Sequence, residues 1–436
     1  MVACSIENGN EHGFNLREIY TINPSILNGI PHYHLSMACN HCLDPPCMEQ
    51  CPSAAITKDE HSGIVHINNE TCIGCRYCSW VCPFGAPVYE ISQGVMKKCD
   101  MCSDRIDEGF KPACESVCPT GALRTEFFDP EDAEQKDPVF PETDIFPALS
   151  ITEPGRGPLP EQQYVNTYPD NVLQIFSENR SERSVEISPE GEWPLIFFTL
   201  LISVLGSLSA GHFSGKMSVD PILFLVSGLS GILISIGHLG KKFRSFRIIR
   251  NFLRSWLSRE SLFFTLFLIA STFSLTGKMD PAAGITGLAA VFITAFSADM
   301  IYFRSVSVIE DYFHSSQVTL TLLLFISYTT GYIPLFIISS LIKMILYLRR
   351  KMISGTVSPV KKILFFVRIV PCLAVPSILF LFQGSGGLLL PTLILIGEVL
   401  DRSEFYHELE IFTPGKKISQ YFNQKIRENF SGHPDS

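Results

Sequence analysis

CIGCRYCSWVCP, residues 72–83, decides how the first part of this chain is read. Its cysteines, Cys72, Cys75, Cys78 and Cys82, follow C-x2-C-x2-C-x3-C-P, the run that binds [4Fe–4S] clusters. Three thiolates within about seven residues can wrap three corners of one cubane. The fourth is carried off by the chain and stopped by proline, so it reaches the other cluster of a pair.

Two further runs flank this one. CNHCLDPPCMEQCP, residues 39–52, supplies Cys39, Cys42, Cys47 and Cys51. CDMCSDRIDEGFKPACESVCP, residues 99–119, supplies Cys99, Cys102, Cys114 and Cys118. Both end in C-x3-C-P, so the unit repeats. Zinc favours two separated C-x2-C pairs, and disulfide frameworks suit small secreted domains. These remain competing readings, but C-x2-C-x2-C packs thiols too densely for ordinary pairing. Cys4 then reads as the last ligand of a run whose first part precedes Met1, with a free terminal thiol as the alternative. The repeat leads us to expect a natural start about 15–25 residues upstream. As given, the chain should hold three [4Fe–4S] clusters, and Cys118 belongs to an incomplete fourth site.

The sequence has 436 residues, a net charge of -9 and a pI near 5.7, which gives no reason to expect a nucleic-acid partner. The first 25 residues show no basic n-region, apolar core or twin arginine. Of the 14 cysteines, all but Cys372 lie in residues 4–118, whereas long apolar runs begin at Trp193. Cys372, before a proline-kinked segment, reads as a small buried apolar residue.

Four regions follow: a cluster domain at 1–125, an extended linker at 126–190, a membrane domain at 191–410 and a polar tail at 411–436. GIVHIN at 63–68 and PVYEI at 87–91 read as strands, and the residues after each Cys-Pro as short helical turns. The linker, rich in Pro, Glu, Asp and Ser, is predicted to run over the first domain, with a small helix near 171–177. Eight segments approach spanning length: 193–211, 221–239, 261–277, 281–303, 317–331, 333–348, 363–382 and 387–401. A soluble helical core is the alternative reading. The fold class expected is a duplicated ferredoxin-like α+β domain followed by an all-α polytopic membrane domain of about eight transmembrane helices.

HLSMACNHCLDPPC, CIGCRYCSWVCPFGAP and CPTGAL make residues 4–125 resemble the four-cluster electron-transfer subunit of DMSO reductase and related molybdopterin oxidoreductases. EWPLIFFTLL at 192–201, the loop at 238–260 and IGEVLDRSEFY at 396–406 resemble, more loosely, the membrane anchor of the same family. Lys241 and Lys242 depart from the small residue and proline frequent there. The resemblance implies cross-ligation: Cys39, Cys42 and Cys47 with Cys82; Cys72, Cys75 and Cys78 with Cys51; Cys99, Cys102 and Cys114 with Cys4. It implies a fusion of the two subunits, with electrons passing from menaquinol through the clusters to a separate molybdopterin-containing catalytic subunit. The cluster of Cys72, Cys75, Cys78 and Cys51 would face the membrane.

The anchor's task in that family is quinol oxidation without haem, and no histidine pair sits where two helices would clamp one. Releasing protons from quinol needs a partner near the interface. His238, ending the second segment, and Glu260, starting the third, are the candidates. An interfacial histidine solvating a helix end and a carboxylate at a helix N-terminus are the plainer readings. Asp299, Lys343, Glu398 and Arg402 read as packing groups, with Glu398 and Arg402 as an ion pair four residues apart. Basic residues cluster at 240–260 and 349–362, which favours the cluster domain on the cytoplasmic face of the cell membrane, with the periplasmic face as the alternative. Wiring to a polysulfide, thiosulfate, tetrathionate or formate enzyme, a stand-alone membrane relay, and a tether poor in clusters are the other functions weighed.

Overall fold

The computed structural model describes residues 1–9, 14–23, 32–126, 140, 143–151, 189–276, 281–305, 314–354, 366–383, 389–408 and 414–430. The N-terminal region is ferredoxin-like, built of helical turns and three separate antiparallel hairpins. Helix α1 is Val2–Glu7. Strand β1 (Glu18–Ile22) pairs with β2 (Tyr33–Met37), setting Glu18 opposite Met37. β3 (Ile56–Lys58) pairs with β4 (Val65–Ile67), and β5 (Val88–Glu90) with β6 (Val95–Lys97). The strands read at 63–68 and 87–91 are there, in shorter form.

The helical turns are not where the sequence reading put them. Residues after Cys51-Pro52 turn and enter β3, and those after Cys118-Pro119 have no helix. Helices α2 (Pro46–Glu49), α3 (Tyr77–Trp80) and α5 (Ala113–Ser116) instead carry the third cysteine of each run and end before the fourth. Proline disfavours the α conformation in the residue before it, so each Cys-Pro ends a turn. Between them, α4 spans Ser103–Asp107.

The described part of the linker lies on this domain. Phe140 stacks on Phe84 with ring centroids 5.3 Å apart, and the Leu43 N–H donates to the Phe146 carbonyl at 2.8 Å. The helix expected near 171–177 lies outside the described residues.

The helical region follows as α6 (Pro189–Phe213), α7 (Pro221–Gly237), α8 (Trp256–Leu275), α9 (Pro281–Arg304), α10 (Val318–Thr330) and α11 (Ile333–Ser354). A π-helical stretch at Val370–Ala374 leads into α12 (Val375–Gln383), then α13 (Leu389–Glu408). Each of the eight predicted segments is at least partly helical. Among the described residues, two helices are long and apolar enough to cross a membrane alone, Glu192–Phe213 and Pro281–Arg304. A third counts if α7 and the 3₁₀ segment Lys242–Ile249, bent by 109°, form one broken span. Large apolar side chains such as Ile222, Leu233, Ile269 and Ile345 are exposed, as on a lipid-facing surface. The side chain of Cys372 lies outside the described residues.

The tail expected to be merely polar holds helix α14, Pro414–Phe430. Ile418 and Phe422, four apart, make an apolar face that sequence composition hides. Ile418 packs with Cys42, Cys82 and Phe84, which brings this helix onto the N-terminal domain.

Candidate functional site

The ligand runs hold their cysteines on strained turns. His41, Arg76, Met101 and Cys102 all have positive φ, between 44° and 63°, although none is glycine. Such residues are uncommon and gather where geometry is over-determined. The turns aim N–H groups at sulfur: Ala55 N–H donates to Cys51 Sγ at 3.3 Å and Met101 N–H to Cys99 Sγ at 3.4 Å.

Three gatherings of cysteines result, each joining distant runs. Cys42 and Cys47 both lie within range of the charges of Cys82 and Cys39. These four line one cleft of about 350 Å³ of empty space, together with Lys98 and Phe84. Cys51 acts on Cys72, Cys75 and Cys78 in the same way. Cys4, buried in α1, lies beside Cys102 and Cys114. Cys99 faces Cys39, between the first group and the third, while Cys78 faces Cys47. The groups therefore stand in a row, with that of Cys39 in the middle. Cys118 is half-exposed and apart from all three.

Burial pushes up the thiols of Cys4, Cys42, Cys47, Cys72, Cys75, Cys78, Cys82, Cys99 and Cys102, with neighbouring sulfurs adding to it. Cys82 rises to about 11 and Cys99 to about 12, while Cys47 and Cys78 rise further. Side-by-side buried thiols cannot all ionise without a cationic centre among them, and iron supplies one. Among the described residues, no three His, Cys, Asp or Glu converge closely enough for one metal ion. A cubane's ligands sit on four separate iron atoms and need not converge so tightly. No disulfide joins the thirteen described cysteines. The cleft, the thiols and the N–H···S bonds fit iron–sulfur clusters.

The group of Cys51, Cys72 and Cys78 shares one apolar core with Trp80, Ile196, Leu200, Ile301 and Tyr406, so it is the group against the helical region. Tyr77 Oη donates to the Ile301 carbonyl at 3.1 Å. Trp80 stacks on Tyr302 with centroids 6.3 Å apart, and the Tyr302 and Tyr406 hydroxyls are hydrogen-bonded.

Both candidate proton acceptors border this junction. His238 caps the C-terminus of α7, within range of the Arg76 charge. Its Nδ1 is buried and has no hydrogen-bond partner of ordinary geometry among the described residues. Glu260, buried in α8, acts on Tyr77, Tyr302 and Tyr406. No direct contact between His238 and Glu260 is present among the described residues. Sequence reasoning passed over Tyr302 and Tyr406, aromatic residues at or just beyond the end of a predicted span, and Trp80, which lies inside a cysteine run.

The expected pair of Glu398 with Arg402 is replaced by a network. Glu398 pairs with Lys343 at 3.0 Å and Arg368 at 2.8 Å, while Asp401 pairs with Arg350 at 2.8 Å and Arg368 at 3.3 Å. Arg402 instead donates to the hydroxyls of Thr199 and Thr321. Asp299 accepts from the N–H groups of Val318 and Thr319 at 2.6 and 3.0 Å, capping α10.

Residues 30–127 match the 4Fe-4S dicluster domain family. The sequence is 50% identical over 101 residues to a protein of the anaerobic dimethyl sulfoxide reductase of Escherichia coli strain K12, covering 22% of this chain and 49% of that protein. It is 42% identical over 105 residues to a sulfite dehydrogenase subunit of Allochromatium vinosum, covering 22% and 44% respectively. It is 41% identical over 96 residues to the hydrogenase-2 operon protein HybA of Escherichia coli O157:H7, covering 21% and 29%. The chain thus spans about half the length, or less, of these relatives. The N-terminal region thus matches a 4Fe-4S dicluster domain and is similar to named parts of a dimethyl sulfoxide reductase and a sulfite dehydrogenase.

Proposed function

We propose that this chain is the electron-transfer and membrane-anchor part of an oxidoreductase complex that oxidises quinol. Three [4Fe–4S] clusters would be held by Cys39, Cys42, Cys47 and Cys82; by Cys72, Cys75, Cys78 and Cys51; and by Cys99, Cys102, Cys114 and Cys4. When bound, the clusters supply one-electron relays. The row of three cysteine groups leading from the helical region carries this reading. Cys118 would ligate only where three further cysteines joined it.

The helical region would cross the lipid bilayer as eight spans, with α7, α8 and α9 presenting the quinol site to the nearest cysteine group. His238 Nδ1 and the Glu260 carboxylate would take the two quinol protons. Support comes from the burial of Glu260 and of the His238 Nδ1 atom at the junction. Names of the similar proteins, which include dimethyl sulfoxide reductase and sulfite dehydrogenase, support a separate molybdopterin-containing catalytic partner. The basic loops favour the cytoplasmic face for the cluster domain.

Iron and acid-labile sulfide analysis of anaerobically purified full chain, with low-temperature EPR after dithionite, tests the core of this reading. About twelve irons per chain and cubane signals are expected. Zinc in place of iron, with no signal, would overturn it. Quinol analogues should then reduce the clusters, and His238→Ala or Glu260→Gln should slow that step without lowering iron content.

A further inference from the structure

Residues 241–259, from the end of α7 into the first turn of α8, carry seven basic side chains: Lys241, Lys242, Arg244, Arg247, Arg250, Arg254 and Arg259. As a sequence they are an orientation signal for the membrane. As a structure, two of them and several neighbours do something more specific. Arg244 Nη1 donates to the Asn69 carbonyl at 2.7 Å and to the Cys72 carbonyl at 3.1 Å. Arg247 Nη1 donates to the Glu70 carbonyl at 3.1 Å. Asn251 Nδ2 donates to the carbonyls of Glu49 and Cys51 at 2.9 and 3.0 Å. Ser255 Oγ reaches the Gln50 carbonyl at 3.0 Å, and the Lys241 N–H the Ile73 carbonyl at 3.1 Å.

These contacts fall on two segments, 49–52 and 69–73. The two are far apart in sequence and carry Cys51 and Cys72. They meet in one cysteine group, the one against the helical region. The loop straddles both.

We propose that this loop is a saddle that sets the reduction potential of the cluster held by Cys51, Cys72, Cys75 and Cys78, with Arg244 the main lever and Asn251 the lesser one. The proposal rests on the reading that those four cysteines hold a cluster. The physical reason is charge. A cluster becomes more negative on reduction, so a fixed cation nearby stabilises the reduced form and raises the potential. Groups that hydrogen-bond to ligand residues tune a metal site from outside it. Arg244 is partly buried, so solvent and salt screen it less than an exposed charge. Asn251 carries no net charge, and its dipole acts more weakly. The loop thus makes this cluster a better electron acceptor than its cysteines alone would, which suits a first acceptor from quinol.

The cleft of Cys39, Cys42, Cys47 and Cys82 provides an internal control. Lys58 Nζ donates to the carbonyls of Cys42 and Leu43 at 3.1 and 2.9 Å, an analogous contact on a different group.

The test is a redox titration of anaerobically purified full chain in detergent, followed by EPR, for the parent and for Arg244→Gln, Arg244→Lys, Asn251→Asp and Lys58→Gln. Arg244→Gln should lower the midpoint of one spectral component and keep the iron content. Asn251→Asp should lower the same component, and Lys58→Gln a different one. Arg244→Lys, which keeps the charge, should stay closer to the parent than Arg244→Gln. Full iron with every midpoint unchanged in Arg244→Gln and Asn251→Asp would overturn the saddle. If Arg244→Gln fails to retain iron, Arg244→Lys and Asn251→Asp decide by the same criterion. A parent chain with no cubane signal would overturn the cluster reading itself, a result separate from a cluster that is present and unmoved.

Discussion

Among the described residues of the N-terminal domain the longest helix has six residues and no strand exceeds five, whereas the helical region runs to 25 residues in a single helix. The small domain's hairpins are unconnected, and a lone two-stranded hairpin is marginal in water. Its core is instead shared by cysteines from the first two runs. The helical region has its backbone bonds met within its helices, and ties them together through buried ion pairs. One half leaves its cohesion to a bound group. The other carries it in its own side chains.

The largest effect should come from removing what the first half lacks by itself. Cys78→Ser withdraws a thiol from the core at the domain junction. We expect loss of about four irons and of native packing in residues 32–126, with the helices intact. Iron analysis with limited proteolysis, comparing fragments from the two halves, checks this. Equal protease resistance with and without iron would break the contrast.

Next in size is Glu398→Ala in the other half. It leaves Lys343 buried without its carboxylate and takes from Arg368 one of the two carboxylates it pairs with, which should cost about 3–5 kcal/mol. Thermal unfolding in detergent should show the loss while iron content holds. A neutral result would mean that packing alone holds these helices.

The seam between the halves is the third place to press. A Cβ at Gly240 would stand 2.2 Å from the Gly94 carbonyl oxygen, with Gly74 packed alongside. Gly240→Ala should cost roughly 1–3 kcal/mol by forcing these backbones apart. Cleavage in the 126–190 linker should then release the cluster domain more readily than from the parent.

The smallest effect belongs to Cys118→Ser, which should leave iron content unchanged and stability within about 0.5 kcal/mol. Hydrogen bonds from the Leu123 N–H and the Thr120 hydroxyl lower this thiol to about 7. Its alkylation should therefore accelerate as pH rises through about 7, below the range of an ordinary thiol. Mass spectrometry of alkylated protein reads this directly, and a midpoint above pH 8 would contradict it.

Much of the cluster domain was legible because cysteine spacing is a geometric statement made by a few residues. The strands at Val65–Ile67 and Val88–Glu90 and the helical segments were legible from period and apolar length. The turns between the cysteines were misplaced, because the constraint before proline acts backward and looks like a start. The Glu398 partners were missed because Lys343 and Arg368 come from other helices, and only the i,i+4 neighbour is visible locally. The basic loop was read through its charge alone. Its donors seek backbone carbonyls, which every residue offers, so no sequence pattern could name them.

Helix α14 has a consequence for how the protein is made. Lys417 Nζ donates to the Phe140 carbonyl across 277 residues of chain, and Ile418 joins the apolar cluster that holds Cys42, Cys82 and Phe84. During synthesis these contacts cannot form until the whole helical region has been translated. The packing of the N-terminal domain is thus completed last, by residues made after every helix that separates the two in sequence.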